Sequence, residues 1–177
     1  MRDYPLVVDH AEGCYIWDPD GRRFLDFNAG IAVITAGHCH PKVVEAIKTQ
    51  ADKFHHYCGT DFYYEPLAIL AKKLAERLPG AATKRVFFTN SGAEAIDGAI
   101  KLSRHATGRS KIISFLGAFH GRTYGAMSLT NSKPVQKKGF GPFVPDVISI
   151  PYPYCFRCPY KLHLGDCDLH CLRYLQK

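Results

Sequence analysis

The sequence has no long hydrophobic run. No apolar stretch approaches the roughly 18 residues needed to cross a bilayer. The segment from Met1 to His10 also lacks an apolar stretch long enough for a secretory signal. We therefore expect a cytoplasmic protein with no membrane partner.

Runs of like charge, internal repeats and low-complexity tracts are absent as well. The chain carries 23 Lys and Arg against 16 Asp and Glu, a formal net charge of +7, but the basic residues are scattered. The densest group, Lys133, Lys137 and Lys138, is too short for a nucleic-acid-binding arm. A solvated basic surface accounts for the charge, so we expect no nucleic-acid partner. The hydrophobic fraction of 46% is that of a globular protein.

The most informative local pattern is a predicted strand that leads directly into a predicted helix. The β-branched and aromatic run Val86–Thr89 ends at a tight turn, and a helical apolar spacing follows. Ser91 and Glu94 have the Ser-x-x-Glu spacing of a capping box. The amide groups around Gly92, together with the helix dipole, favour a phosphate at this point. An ordinary connection without a ligand is the alternative.

A second loop of this kind follows the next apolar run, 111–116, and Val147–Ile150 predicts a further strand. Apolar strands alternating with helices indicate an α/β protein with a parallel sheet, in which ligands bind beyond the carboxyl ends of the strands. The loop offers an aromatic face in Phe119, an imidazole in His120 and a guanidinium in Arg122. The first suits a planar ring and the last a carboxylate. Core packing for Phe119 and a structural role for His120 are the alternatives.

The remaining segments predict ordinary elements. Residues 5–35 read as β-rich, with a hairpin turn at 18–21, and helices are expected from Pro41 and over 66–78. Three isolated cysteines stand in apolar or aromatic surroundings and are expected to be buried thiols. They are Cys14, Cys39 and Cys58.

Two of these segments resemble the class III pyridoxal-phosphate aminotransferases, the family of the acetylornithine, ornithine and 4-aminobutyrate enzymes. They are Thr89-Asn-Ser-Gly-Ala-Glu-Ala and Gly117-Ala-Phe-His-Gly-Arg-Thr-Tyr-Gly-Ala-Met-Ser-Leu129. Residues 18–32 and Gly37-His-Cys-His-Pro41 are similar to the N-terminal region of the same family. The resemblance implies an α/β fold of the aspartate-aminotransferase type (fold type I) and a homodimer with its sites at the subunit interface. It also implies amino-acid and 2-oxo-acid substrates.

The resemblance also implies roles for individual residues. Ser91, Gly92 and Ala93 match the cradle for the phosphate of pyridoxal 5'-phosphate. Phe119 matches the aromatic residue stacked on the cofactor ring, and His120 follows it. The resemblance further assigns Arg122 to the substrate carboxylate and Ile31 to the wall of the substrate pocket.

Family members are more than twice as long, and their Schiff-base lysine lies in the later part. No such motif follows Cys171, so we expect an N-terminal fragment that lacks the catalytic lysine and is inactive alone. Residues 1–60 would form the N-terminal segment of the small domain with a connecting helix. Residues 61–177 would form a partial cofactor-binding large domain with an incomplete sheet.

A cysteine cluster near the C-terminus is the remaining motif. Cys155, Cys158, Cys167 and Cys171 have a spacing that four zinc ligands can adopt, with His163 and His170 as spare ligands. Free or redox-variable thiols are the preferred interpretation, so no metal is expected. Three functions therefore stay open: an aminotransferase first, then a racemase or aminomutase of the same fold, and last a zinc-binding interaction module.

Overall fold

The computed structural model describes residues 5–80 and 83–176. The chain divides into two compact units, Met1–Ala82 and Thr83–Lys177. The first unit therefore includes a helix that the predicted boundary after residue 60 assigns to the large domain. That boundary concerns the domains of the family fold and stays a prediction. Among the described residues, no helix combines the length and apolar character that a membrane crossing requires.

The first unit begins with an antiparallel sheet of three short strands. Strands β1 (His10–Glu12), β2 (Tyr15–Trp17) and β3 (Arg23–Leu25) pair in chain order. The turn between β2 and β3 is closed by Asp18, whose side chain is only 3% exposed and accepts hydrogen bonds from Arg22 N and Nε at 2.9 and 2.7 Å. The predicted hairpin is confirmed.

A left-handed turn follows the sheet. Segment α1 (Ala29–Ala32) has φ values between 48° and 64°, so it winds opposite to an ordinary α-helix. The carboxylate of Asp26 supports it, because this group accepts hydrogen bonds from the amides of Asn28 and Ala29 and lies 2.7 Å from Nε2 of His38. The hydrogen bond with His38 is the main reason that the pKa of Asp26 lies below its usual value.

Two amphipathic helices complete the first unit. Helix α2 (Pro41–Ala51) and helix α3 (Glu65–Arg77) each carry proline in the first turn, where the missing N–H is not needed for a helical hydrogen bond. Both predicted helices are confirmed, α2 from its predicted first residue and α3 within one residue of its predicted start and end. This agreement follows from strong 3.6-residue periodicity together with clear start signals.

The second unit contains a pair of parallel strands flanked by helices. In chain order it comprises α4 (Gly92–Thr107), β4 (Ile112–Phe115), α5 (Tyr124–Leu129), β5 (Val147–Ile150) and α6 (His170–Gln176). Strands β4 and β5 pair in parallel, with Ile112 opposite Val147 and Phe115 opposite Ile150. Two 3₁₀ turns lie at Pro134–Gln136 and Cys155–Arg157. The parallel pairing predicted from the apolar runs is confirmed.

The predicted strand at Val86–Thr89 is wrong. The described residues 83–89 form no strand, although burial alternates over residues 83–88 as in a strand, with Phe87 82% exposed and its two neighbours partly buried. A β-strand needs a neighbouring strand to satisfy its N–H and C=O groups, and β4 pairs only with β5 among the described strands. The sequence pattern therefore predicted the alternation of exposed and partly buried side chains but not a paired strand.

The buried residues lie mainly in the second unit. Ile100 of α4, Ile150 of β5 and three residues of α5 form its apolar core, namely Ala126, Met127 and Leu129. The prediction of buried thiols is wrong, because the isolated cysteines of the first unit are exposed in the described chain. Apolar neighbours in sequence do not bury a side chain when those neighbours are themselves exposed, as Ile34 and Phe62 are.

Candidate functional site

The N-terminus of α4 is built as the capping pattern predicts, with one difference. The hydroxyl of Ser91 accepts a hydrogen bond from the amide of Glu94 at 3.2 Å. The carboxylate of Glu94 turns back to Asn90, accepting from its amide at 2.8 Å and from its side chain at 3.0 Å, rather than to the amide of Ser91. The turn before the helix is thus held at two residues, which orients the first helical amides.

The first two amides of α4 are available to a ligand. Within the described residues, neither Gly92 N–H nor Ala93 N–H donates to a protein acceptor. A β-carbon at Gly92 would meet no protein atom within 4 Å, and its φ is not in the left-handed region. Neither packing nor backbone geometry requires glycine here, so the open space in front of these amides suits an anion.

The second predicted loop, 117–123, lies between β4 and α5. Gly117 donates to the carbonyl of Asn131 at 3.1 Å, and Asn131 donates to the carbonyl of Ala118 at 2.7 Å. Phe119 is 52% exposed, so its ring is not part of the core. His120 is partly buried, and its imidazole forms no hydrogen bond within the described residues. Both side chains are therefore placed to meet a ligand.

The two loops touch each other at Gly121. This residue has a φ of 133°, and a β-carbon on it would lie 2.6 Å from the β-carbon of Ala93 and 2.9 Å from its Cα. Only glycine fits such a contact without displacement. The backbone of the second loop consequently packs directly against the first turn of α4.

Together the two loops line a cavity of about 780 Å³ that is open to solvent. The structure brings together every predicted cofactor-binding and substrate-binding residue of the second unit at this cavity, and adds three that sequence reasoning did not assign to the site. The predicted residues are Ser91, Gly92, Ala93, Phe119, His120 and Arg122, and the added ones are Ile96, Gly121 and Thr123. The signal for Ile96 was available, since it lies one helical turn after Gly92 and so on the same face of α4.

The residues that line the cavity favour a negatively charged ligand. No acidic side chain is among its lining residues, and Arg122 forms no ion pair within the described part of the chain. Two free amides, a helix dipole and a guanidinium all favour negative charge. The exposed ring of Phe119 beside them suits a flat, apolar surface. The residues present therefore fit a planar ring that carries a phosphate, with a carboxylate bound nearby.

Two predicted features lie elsewhere. Ile31 belongs to the left-handed turn of the first unit and is 87% exposed, so its role in a substrate pocket stays a prediction. The four clustered cysteines are free thiols, and the described residues contain no group of three or more potential metal ligands. Near them, the hydroxyl of Tyr160 is buried without a hydrogen-bond partner in the described chain, and burial raises its pKa.

Comparison with known proteins identifies the family. All residues, 1–177, match the family model described as Aminotransferase class-III. The chain is 43% identical over 154 residues to isoleucine 2-epimerase of Lentilactobacillus buchneri, covering 87% of this chain and 34% of that protein. It is 45% identical over 149 residues to a probable 4-aminobutyrate aminotransferase of Bacillus subtilis, covering 84% and 34%. It is 47% identical over 149 residues to an acetylornithine aminotransferase of Methanopyrus kandleri, covering 84% and 38%.

Solved structures confirm the predicted fold class. An aminotransferase from Bacillus anthracis matches with a TM-score of 0.86 at 28% identity, covering 99% of this chain and 40% of that one. An amine transaminase from an uncultivated Pseudomonas species, solved in its PLP-bound form, matches with a TM-score of 0.85 at 27% identity, covering 99% and 41%. The chain thus spans 34% to 41% of the length of these relatives. With an α/β fold of the aspartate-aminotransferase type, it belongs to the class III aminotransferase family.

Proposed function

We propose that the cavity of the second unit binds pyridoxal 5'-phosphate for an aminotransferase. The proposed reaction moves an amino group from an amino-acid or ω-amino donor, of the 4-aminobutyrate, ornithine or acetylornithine type, to a 2-oxo acid. The observation that carries the proposal is the contact between Gly121 and Ala93. Because of this contact, the free amides of Gly92 and Ala93 and the exposed ring of Phe119 line the same cavity.

The chain's own residues would divide the work of binding. The amides of Gly92 and Ala93 donate to the cofactor phosphate, with the Ser91 hydroxyl beside them. Phe119 covers one face of the pyridine ring and excludes water from it, and His120 lines the same cavity. When bound, the cofactor withdraws electrons from the carbon that carries the substrate amino group.

Substrate recognition is assigned to two further side chains. Arg122 is exposed at the cavity, and its planar guanidinium can accept a carboxylate with two parallel hydrogen bonds. Ile31 presents an exposed apolar side chain in the first unit and would contact the aliphatic part of the substrate. Both assignments rest on the family resemblance together with this exposure.

Cofactor binding can be tested by titrating the full chain with pyridoxal 5'-phosphate and following the induced circular dichroism of the pyridine chromophore. Pyridoxal without phosphate is the matched ligand control. We expect the phosphorylated form to bind at least about tenfold more tightly, because hydrogen bonds to a charged group contribute about 1.5–3 kcal/mol. Equal affinities for the two compounds, or no binding of either, would contradict the proposal.

A second candidate function, amino-acid racemisation or epimerisation, is favoured by one observation. The chain is 43% identical to an isoleucine 2-epimerase. The two functions differ in their need for a 2-oxo acid. The test uses an intact homologous chain, because this chain is expected to be inactive alone. In that protein, glutamate formation from 2-oxoglutarate with 4-aminobutyrate, ornithine or acetylornithine indicates transamination, whereas a change in the chirality of isoleucine without any 2-oxo acid indicates epimerisation.

We further propose that the full-length protein acts as a homodimer in the cytoplasm. The family membership supports the dimer, and the many exposed apolar side chains agree with it. The predicted absence of a Schiff-base lysine from this chain stays a prediction.

A further inference from the structure

We propose that Thr130 is the positioning residue that holds the Phe119 loop against the first turn of α4. The inference rests on the proposed function, because its purpose is to set the distance between the ring-binding and phosphate-binding parts of the cavity. Thr130 lies directly after α5 and is not among the residues that line the cavity. It would therefore act on the ligand only through the loop.

The hydroxyl of Thr130 connects both residues that follow Phe119. It accepts a hydrogen bond from the amide of His120 at 3.0 Å. It is also placed to donate to the carbonyl of Gly121 at 3.0 Å or to that of Ala126 at 3.2 Å. A single hydroxyl thus connects the end of α5 to the loop on both sides of one peptide bond.

Water cannot replace the hydrogen bonds of the Thr130 hydroxyl. Thr130 is fully buried, at 0% exposure, and Ala126 beside it is also fully buried. Solvent therefore has no access to the hydroxyl itself. An isosteric valine would leave the amide of His120 and the carbonyl of Gly121 without their present partner in a buried setting, which is unfavourable.

Backbone hydrogen bonds hold the part of the loop that precedes Phe119, whereas the side chain of Thr130 holds the part that follows it. On the earlier side, Asn131 exchanges hydrogen bonds with Gly117 and Ala118. Its side chain donates to the hydroxyls of Ser114 and Ser149, which ties this restraint to strands β4 and β5. On the later side the Thr130 hydroxyl provides the hydrogen bonds, so removing it should free His120 and Gly121 selectively.

This selectivity matters because Gly121 is the contact between the two halves of the cavity. Its backbone packs on Ala93, whose amide is one of the two phosphate donors. When Gly121 loses the Thr130 hydroxyl, the Phe119 ring is no longer held at one distance from those donors. The phosphate donors themselves remain, since Ser91 and Glu94 orient them independently of Thr130.

The test compares Thr130→Val with Thr130→Ser in the full chain. Thr107→Val is the matched control, because the Thr107 hydroxyl also donates to one backbone carbonyl and accepts from one amide, but on the exposed end of α4 away from the cavity. Three quantities are measured: affinity for pyridoxal 5'-phosphate, affinity for inorganic phosphate, and hydrogen-exchange protection of the His120 amide.

We expect Thr130→Val to weaken pyridoxal 5'-phosphate binding by about tenfold, because one partly buried donor and one buried acceptor lose their partner. Inorganic phosphate affinity should change less than twofold, and protection of the His120 amide should be lost. Thr130→Ser, which keeps the hydroxyl, should retain both cofactor affinity and protection. Thr107→Val should behave as the wild type.

Several results would overturn the inference. Unchanged cofactor affinity in Thr130→Val would do so while leaving the proposed function intact. Equal losses in Thr130→Val and Thr130→Ser would also contradict it, because the serine variant keeps the hydroxyl. If the valine variant does not fold, the serine variant decides alone, since loss of His120 protection with the hydroxyl present contradicts the mechanism. A wild type that binds no pyridoxal 5'-phosphate overturns both proposals.

Discussion

Gly92 has a special position although its own backbone does not require glycine. Its φ is ordinary, and the space where a β-carbon would lie contains no protein atom within 4 Å. Inside the chain, therefore, a larger residue is tolerated, and any penalty must come from a ligand. This separates a requirement of folding from a requirement of binding at a single position.

We predict that Gly92→Val weakens binding of pyridoxal 5'-phosphate by about tenfold or more, because the branched side chain keeps the phosphate from an amide hydrogen bond worth about 1.5–3 kcal/mol. Ligand titration of the variant measures the effect. Ala95→Val adds a branched side chain to an exposed position of the same helix and is the control. Unchanged affinity in Gly92→Val would count against the phosphate cradle.

Substitution of Phe119 tests the part of the cavity that is proposed to bind the cofactor ring. Its ring is 52% exposed, so removing it costs little packing within the chain. We predict that Phe119→Ala loses about 1 kcal/mol of cofactor binding, or about fivefold in affinity, through the lost stacking. Phe156→Ala is the control, since Phe156 is 78% exposed and does not line the cavity. Equal cofactor retention in both variants would remove the stacking role.

Among the elements, the left-handed turn depends on one carboxylate. Asp26 accepts two backbone amides of this turn, and its hydrogen bond with His38 is the largest cause of its lowered pKa. A carboxyl group whose pKa is lower in the folded state stabilises that state at pH values above its ordinary pKa of 3.8. This contribution is lost as pH falls through the lower folded-state pKa.

We therefore predict that Asp26→Asn lowers the free energy of unfolding at neutral pH. The difference from the wild type should shrink below a pH of about 4, as the wild-type carboxylate becomes protonated. Urea denaturation at a series of pH values measures it. Asp52→Asn, at an exposed carboxyl group without a side-chain hydrogen bond in the described chain, is the control. If the difference in the free energy of unfolding between Asp26→Asn and the wild type grew toward acid pH, it would contradict the predicted pH dependence.

The elements also show how far sequence patterns reach. Strands β4 and β5 were predicted as strands of a parallel sheet, because continuous apolar runs of this length are typical of strands covered on both faces. Val86–Thr89 has an equally strong pattern and yet is not a paired strand. Local composition specifies an extended backbone, whereas pairing depends on whether another strand lies alongside.

At the scale of the whole molecule, apolar exposure is extensive. Several large apolar side chains are at least 80% exposed, namely Phe27, Ile31, Tyr63, Phe87 and Leu164. Exposure of this kind favours association with another protein surface. It agrees with the proposed homodimer.

We predict that the full-length protein self-associates in solution, with a concentration-dependent sedimentation coefficient in analytical ultracentrifugation. Association through apolar surface should persist in high salt, where charge pairing between exposed groups is screened. A monomer at all concentrations would contradict the homodimer, and dissociation by salt alone would indicate ionic rather than apolar contacts.

The sequence by itself determined the family, the helices with clear start signals and six of the residues that meet at the cavity, because these depend on local periodicity, first-turn residues and short motifs. Only the tertiary structure decided that Gly121 contacts Ala93, that the Thr130 hydroxyl holds the loop, and that the isolated cysteines are exposed. Each of these facts depends on the distance between residues far apart in the chain or on how completely a side chain is covered. No local pattern encodes either quantity, since both result from the packing of all neighbouring elements at once.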